Sequence, residues 1–175
     1  MNPDTKTTSA RNLVLTNIAI VVLAVVLDQA VKALVVATMD LGEAIPILPF
    51  LALLHARNTG IAFSMFSDIG PMGLALLACV VLVAVFYLWI KTPVDRTLTH
   101  IALAIVVGGA IGNLIDRVWL GYVVDYVFFH TPLFEFAVFN LADSFISVGA
   151  ALIVLDELIL HPLRERRARR RSSTD

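Results

Sequence analysis

A chain of 175 residues has the length of one ordinary domain, yet 59% of it is apolar and only 15% charged, a balance that excludes a water-soluble globule. The net charge of -1 conceals a segregation: apart from Lys32, Arg57 and Arg117, the 13 basic residues lie in three short patches, Lys6 with Arg11, Lys91 with Arg96, and the arginines from Arg164 to Arg171. Cys79 is the only cysteine, so no intrachain disulfide forms and stability has to come from packing in lipid.

Four apolar stretches approach or exceed the roughly 20 residues a helix needs to cross about 30 Å of hydrocarbon. They place spans at about 13–36, 69–90, 97–116 and 137–157, with a basic tail at 162–175, in a single integral membrane domain over 1–175. The first stretch is uncharged from Asn12 to Leu27 and then carries Asp28, Gln29 and Lys32. With no small-residue cleavage site before that polar cluster, it reads as a retained span rather than a signal peptide. The second stretch has no charge and makes Cys79 a small core residue. An even number of spans puts both termini on one side, and the basic bias makes that side cytoplasmic. The arginine run is then a topological anchor on anionic lipid rather than a nucleic-acid patch.

The outer side receives two loops, 40–68 and 118–135. The first contains AIPILPFLALLHA, too short to span and interrupted by Pro46 and Pro49, which suits extended or interfacial structure. The second contains GYVVDYVFF, whose β-branched and aromatic residues favour a strand able to pair with the first loop.

Ionised side chains inside a span cost several kcal/mol unless they are paired, solvated or neutralised. Asp28 and Lys32 lie four apart on one helical face, where a local ion pair and a role in a cleft both account for them. On the third span Gly109, Gly112, Asn113 and Asp116 recur at helical spacing, and Gly108 with Gly112 forms a small-xxx-small pair suited to close helix approach. Asp116 and Arg117 have a plain explanation too: they mark the end of the span, where interfacial water solvates them. On the fourth span Asn140, Asp143, Ser144 and Ser147 fall within about 100° of the circumference, so Asp143 faces protein or water. If that helix enters the membrane near Phe139, Asp143 is only about 6 Å deep.

A second acid, Asp125, belongs to the same outer side. Two carboxylates sharing a desolvated cleft divide the labour, one keeping a proton while the other activates water. Spacing alone leaves open whether these two meet. The four histidines form no HExxH and no pair at ligand spacing, and no glycine-rich phosphate loop opens a helix, so no metal or nucleotide cofactor is expected. The alternative class is a small proton-coupled transporter or channel subunit, because intramembrane acids also mark ion pathways, although such a site normally lies near the midplane.

The segments LDQAVK at Leu27, NTGIAF at Asn58, GGAIGNLIDR at Gly108, VVDYV at Val123 and FNLADSFI at Phe139 occur in this order on a four-span chain. In them the chain resembles lipoprotein signal peptidase, or signal peptidase II, a family of bacterial aspartic intramembrane proteases. The resemblance implies an all-α membrane protein of four transmembrane helices with a small extracytoplasmic β-sheet cradle. It implies that Asp125 and Asp143 are the catalytic pair, and that Asp28, Lys32, Asn58, Gly60, Asn113, Arg117, Asn140 and Ala142 line or support the site. The implied substrate is a diacylglyceryl-modified prolipoprotein, cut just before its lipidated lipobox cysteine without metal or organic cofactor. Its setting is the bacterial inner membrane, with membrane lipid as partner, no nucleic acid, and a monomer as the working form.

Overall fold

The computed structural model describes residues 3–60 and 70–164. Ile61, Ala62 and Phe63 of the NTGIAF segment and the arginine tail beyond Arg164 lie outside the described residues. Helix α1 (Pro3–Thr38) is followed by strands β1 (Ala44–Leu48) and β2 (Leu51–Asn58), then α2 (Gly70–Lys91) and α3 (Thr97–Trp119). Strands β3 (Val123–Thr131) and β4 (Phe134–Glu135) lead to α4 (Leu141–Leu155), which continues through a π-helical turn, Asp156–Leu160, to Arg164. Within these helices Arg11–Thr38, Met72–Lys91, Thr97–Trp119 and Leu141–Arg164 are long and apolar enough to cross a membrane.

Helix α3 is the central one, packing against α1, α2 and α4 and burying Ala102, Leu103, Ala104 and Val107. Adjacent glycines allow this by facing different neighbours. A Cβ on Gly108 would lie 2.6 Å from the Cβ of Ala24 on α1, and one on Gly109 would lie 2.5 Å from the carbonyl oxygen of Ala142 on α4. Gly112 meets the Asp28 carboxylate in the same way. Backbone-to-backbone approach of this kind is what small residues supply where lipid gives no hydrophobic drive between helices. The outer faces are apolar instead, with Leu76, Val80, Val83 and Phe86 of α2 exposed. Cys79 shares that exposed surface, which corrects its expected place in the core: α2 packs mainly on α3, which leaves much of its circumference uncovered.

Alignment of Ala24 with Gly108 and of Asp28 with Gly112 makes α1 and α3 parallel. At the far end of α4, buried Asp156 accepts from the Thr99 hydroxyl (2.6 Å) and from Arg96 Nε (3.1 Å), so α4 runs antiparallel to α3. The four strands form one antiparallel array in the order β1-β2-β3-β4. Its β2–β3 register sets Ala56 opposite Asp125 and Asn58 opposite Val123, so the two outer loops pair as the composition of the second one suggests. Val35 and Met39 of α1 cluster with Val124 and Tyr126 of β3, which seats the sheet on the end of the bundle where α1 and α3 finish and α4 begins.

Candidate active site

Alternation along β3 separates its side chains. Val124 and Tyr126 pack on α1, while Val123 and Asp125 line a cavity on the other face. The edge of β3 also fixes the entry to α4, because Val127 N–H donates to the Phe139 carbonyl (2.8 Å) and Phe139 N–H returns to the Val127 carbonyl (3.0 Å). The next residue, Asn140, caps α4. Its side-chain oxygen accepts from Asp143 N–H (3.0 Å), and the Asp143 carboxylate accepts from Asn140 N–H (3.2 Å), a reciprocal capping box that explains why Asp143 stands in the first turn.

Asparagine amides join the two acids. Asn140 Nδ2 donates to Asp125 Oδ1 (2.7 Å) and to Asn113 Oδ1 (3.0 Å), and Asn113 Nδ2 donates to Asp143 Oδ1 (2.8 Å). On the opposite flank Asn58 Nδ2 donates to Asp125 Oδ2 (2.9 Å), while its oxygen accepts from Gly60 N–H (2.9 Å). Arg117 donates to the Gly60 carbonyl (3.2 Å) and the Asn113 carbonyl (3.3 Å), and among the described residues its buried Nε has no hydrogen-bond partner. Asn58, Asn113, Arg117, Asp125 and Asp143 all line one cavity of about 550 Å³, whose remaining wall is largely apolar and includes Phe136, Val138 and Ile146.

Asp28, Lys32, Gly60, Asn140 and Ala142 are not among the side chains lining this cavity; they support those that are. Lys32 Nζ contacts Asp28 (2.8 Å), Asp116 (3.0 Å) and Asn113 Oδ1 (2.9 Å), which uses all three of its N–H groups. Asp28 Oδ1 accepts from Ala142 N–H (3.0 Å) in the first turn of α4. The pairing of Asp28 with Lys32 is therefore both the local ion pair and part of a larger network.

Asp116 corrects the expectation of a solvated span end. It is 2% exposed, because α3 continues to Trp119 and the sheet closes over this turn. Asp116 Oδ2 accepts from Val124 N–H (3.1 Å) as well as from Lys32, and Asp116 Oδ1 accepts from Gln29 Nε2 (2.9 Å). One carboxylate thus ties the strand beside Asp125 to the lysine that orients Asn113. Sequence reasoning also missed Tyr126; its hydroxyl oxygen accepts from Leu141 N–H (3.1 Å), and burial pushes the phenol up to about 12, so it remains neutral. Gln29, polar beside Asp28 in an apolar span, and Asp116, one turn beyond Gly112 and Asn113, were the available signals.

Burial pushes the Asp125 carboxyl from its ordinary 3.8 up to about 7, with the negative charge of Asp143 adding to the rise and the hydrogen bonds from Asn58 and Asn140 opposing it. Near neutral pH the cavity therefore holds a carboxyl that keeps its proton readily beside a second carboxyl at a helix N-terminus. Such an arrangement can hold a water and polarise a carbonyl at once. Among the described residues no group of three or more His, Cys, Asp or Glu is arranged to hold a metal ion.

Comparison with known proteins gives a consistent result. The family model described as signal peptidase (SPase) II matches residues 20–159. A lipoprotein signal peptidase of Mesorhizobium japonicum is 52% identical over 140 residues, covering 80% of this chain and 83% of its own length. One of Brucella ovis is 50% identical over 149 residues, covering 85% and 93%. Among solved structures, a bacterial membrane enzyme obtained by the in meso method at 2.3 Å resolution is similar with a TM-score of 0.74 and 34% identity, over 82% of this chain and 87% of the other. Another, at 1.9 Å, gives a TM-score of 0.73 at 34% identity, over 82% and 93%.

Proposed function

This chain belongs to the signal peptidase II family, and from that membership we propose that it removes the signal peptide from diacylglyceryl-modified prolipoproteins, cutting just before the lipidated cysteine with Asp125 and Asp143 as an acid–base pair. It is a multi-pass bacterial membrane protein of a protease family. The observation that carries the reading is the single cavity lined by both carboxyl groups, with amide donors around them and an apolar wall beside them.

In the proposed reaction Asp125 keeps its proton and donates it to the scissile carbonyl oxygen while a water oxygen bonds to the carbonyl carbon and Asp143 takes a proton from that water. Collapse of the resulting diol breaks the carbon–nitrogen bond. Asp143 passes its proton to the cysteine nitrogen, and a diol hydroxyl returns one to Asp125, so both acids regain their starting states. Arg117, which also lines the cavity, adds a positive charge beside the substrate carbonyl. The bridging amides of Asn113 and Asn140 hold the two acids in fixed relation. No cofactor enters these steps, and every group comes from one chain, so a monomer suffices.

The distribution of basic residues supports cytoplasmic termini and a cavity at the outer surface. A lipidated cysteine keeps the scissile bond near that surface, where an apolar wall can receive the acyl chains. A transport reading lacks such support, since the carboxyls gather at one end of the bundle rather than at its middle.

The direct test is purified protein with a synthetic lipobox peptide, diacylated or unmodified. A single cut before the cysteine is expected in the lipidated peptide, with the unmodified one at least about 10²-fold slower because its anchor is gone. Equal processing of the two would reject the proposal. The acid–base assignment also sets the pH response. In the free protein burial holds the Asp125 proton up to about 7, so kcat/KM falls about tenfold per pH unit above that value. A rate that climbed steadily from neutral to alkaline pH would contradict the role of Asp125 as proton donor.

A further inference from the structure

Past the carboxyl pair the same cavity continues along α4, where Ser144, Ile146, Ser147 and Val148 line it. Ser147 follows Asp143 by four residues, so at about 1.5 Å per residue it stands about 6 Å deeper on the same helix face. The hydroxyls of Thr38, Thr92 and Ser144 each donate to the carbonyl four residues earlier (2.7, 2.8 and 3.1 Å), an ordinary outlet for a hydroxyl on a helix. Ser147 takes no such bond. Its side chain is exposed and lines the cavity, and among the described residues its hydroxyl has no hydrogen-bond partner.

The proposed reaction brings acceptors to this depth. A signal peptide crosses the bilayer as a helix, because lipid offers its backbone no other partner. A helical peptide bond is shielded by the turns on either side of it, so the helix ends before the bond under attack, and its last carbonyls then have no N–H within the chain. They lie on the membrane side of the carboxyl pair, since the lipidated cysteine holds the other end of the scissile bond at the surface. Leaving such a carbonyl unpaired costs about 1–3 kcal/mol. The amides of Asn58, Asn113 and Asn140 already donate to the two acids, and Arg117 stands one turn farther out along α3 than Asn113. Ser147 is the donor left at the right depth.

We propose that the Ser147 hydroxyl donates to a main-chain carbonyl of the signal peptide, that of the third residue before the cysteine. The scissile carbonyl belongs to the first residue before the cysteine, and an extended chain advances about 3.3 Å per residue, so about 6 Å corresponds to about two residues farther back. This deepens the proteolytic reading and rests on it. Because the contact is to main chain, it keeps the substrate in register with the carboxyls whatever side chain stands at that position.

The test is a cycle that combines Ser147→Ala with a diacylated lipobox peptide in which an (E)-alkene replaces the peptide bond following that third residue. With the ordinary peptide, Ser147→Ala should lower kcat/KM about three- to tenfold, the scale of one neutral hydrogen bond. With the alkene peptide the parent and Ser147→Ala should be equal, because the acceptor is gone; where its cleavage is too slow to follow, its inhibition of the ordinary peptide gives the same comparison. The N–H that the alkene also lacks is lost to both proteins alike and cancels in the cycle. Alanine favours helix and position 147 is exposed, so the variant keeps its fold. An equal ratio of parent to variant with both peptides overturns the inference while leaving the proteolytic reading intact, and means that water solvates the hydroxyl. Failure of the parent to cleave the ordinary diacylated peptide removes both.

Discussion

Replacing Asp143 by asparagine should lower the rate of cleavage of a diacylated lipobox peptide by about 10²–10⁴-fold, the loss typical of removing a general base. The protein should remain folded. The substituted amide keeps one oxygen to accept from Asn113 or from Asn140 N–H, but not both, because its second position becomes an NH₂ group facing a donor. The helix cap is thereby weakened at a cost of about 1 kcal/mol. Asp125→Asn should be equally slow for a different reason. It retains an acceptor for Asn140 or Asn58 but no longer has an acidic proton to give. Because the two acids act in one step, Asp143 on the water and Asp125 on the carbonyl oxygen, the double variant should be scarcely slower than the slower single variant. Single-turnover cleavage by all three variants measures this. Multiplicative losses in the double variant, or near-normal turnover by either single one, would show that the pair does not act as a unit.

Lys32→Met should lower stability by about 3–5 kcal/mol, as expected when one partner of a buried ion pair is removed and the other charges stay behind. In a domain of this length that corresponds to a fall in Tm of roughly 6–20 °C. Lys32 is 3% exposed and lies between Asp28, which is fully buried, and Asp116. Without it two carboxylates face each other inside the protein with no cation between them, and Asn113 loses the donor that fixes its amide. The double variant Asp28→Asn with Lys32→Met leaves a single acid and should regain about half of the lost stability. Thermal unfolding in micelles follows both. A Tm for Lys32→Met within a degree or two of the parent would mean that the network is solvated rather than buried. The same substitution should slow cleavage, since Asn113 carries the orientation from Lys32 to Asp143.

Much of this architecture was legible in one dimension. A hydrocarbon layer demands long apolar runs, so the spans stand out by composition. The strand character of GYVVDYVFF is likewise a property of neighbouring residues, and the cap at Asn140 with Asp143 depends on residues three apart. The motifs around Asp125 and Asp143 carried the family resemblance, which family comparison then bore out. The role of Asp116 could not be read in this way. At the end of a span a solvated acid and a buried one look alike, and only the closure of β3 over α3 separates them.

What the sequence by itself determined were the features set by local averages and short periods: membrane class, helix lengths, strand segments and the positions of two acids. The tertiary structure alone decided that those acids share one cavity, that Asp28 and Lys32 stand behind it rather than in it, and that Asp116 completes their network. The reason lies in the helix contacts. Gly108 and Gly109 are adjacent in the chain yet face α1 and α4 respectively, and that choice of faces brings Asp28, Asn113 and Ala142 together. Periodicity identifies a helical face; which partner meets it depends on the whole fold.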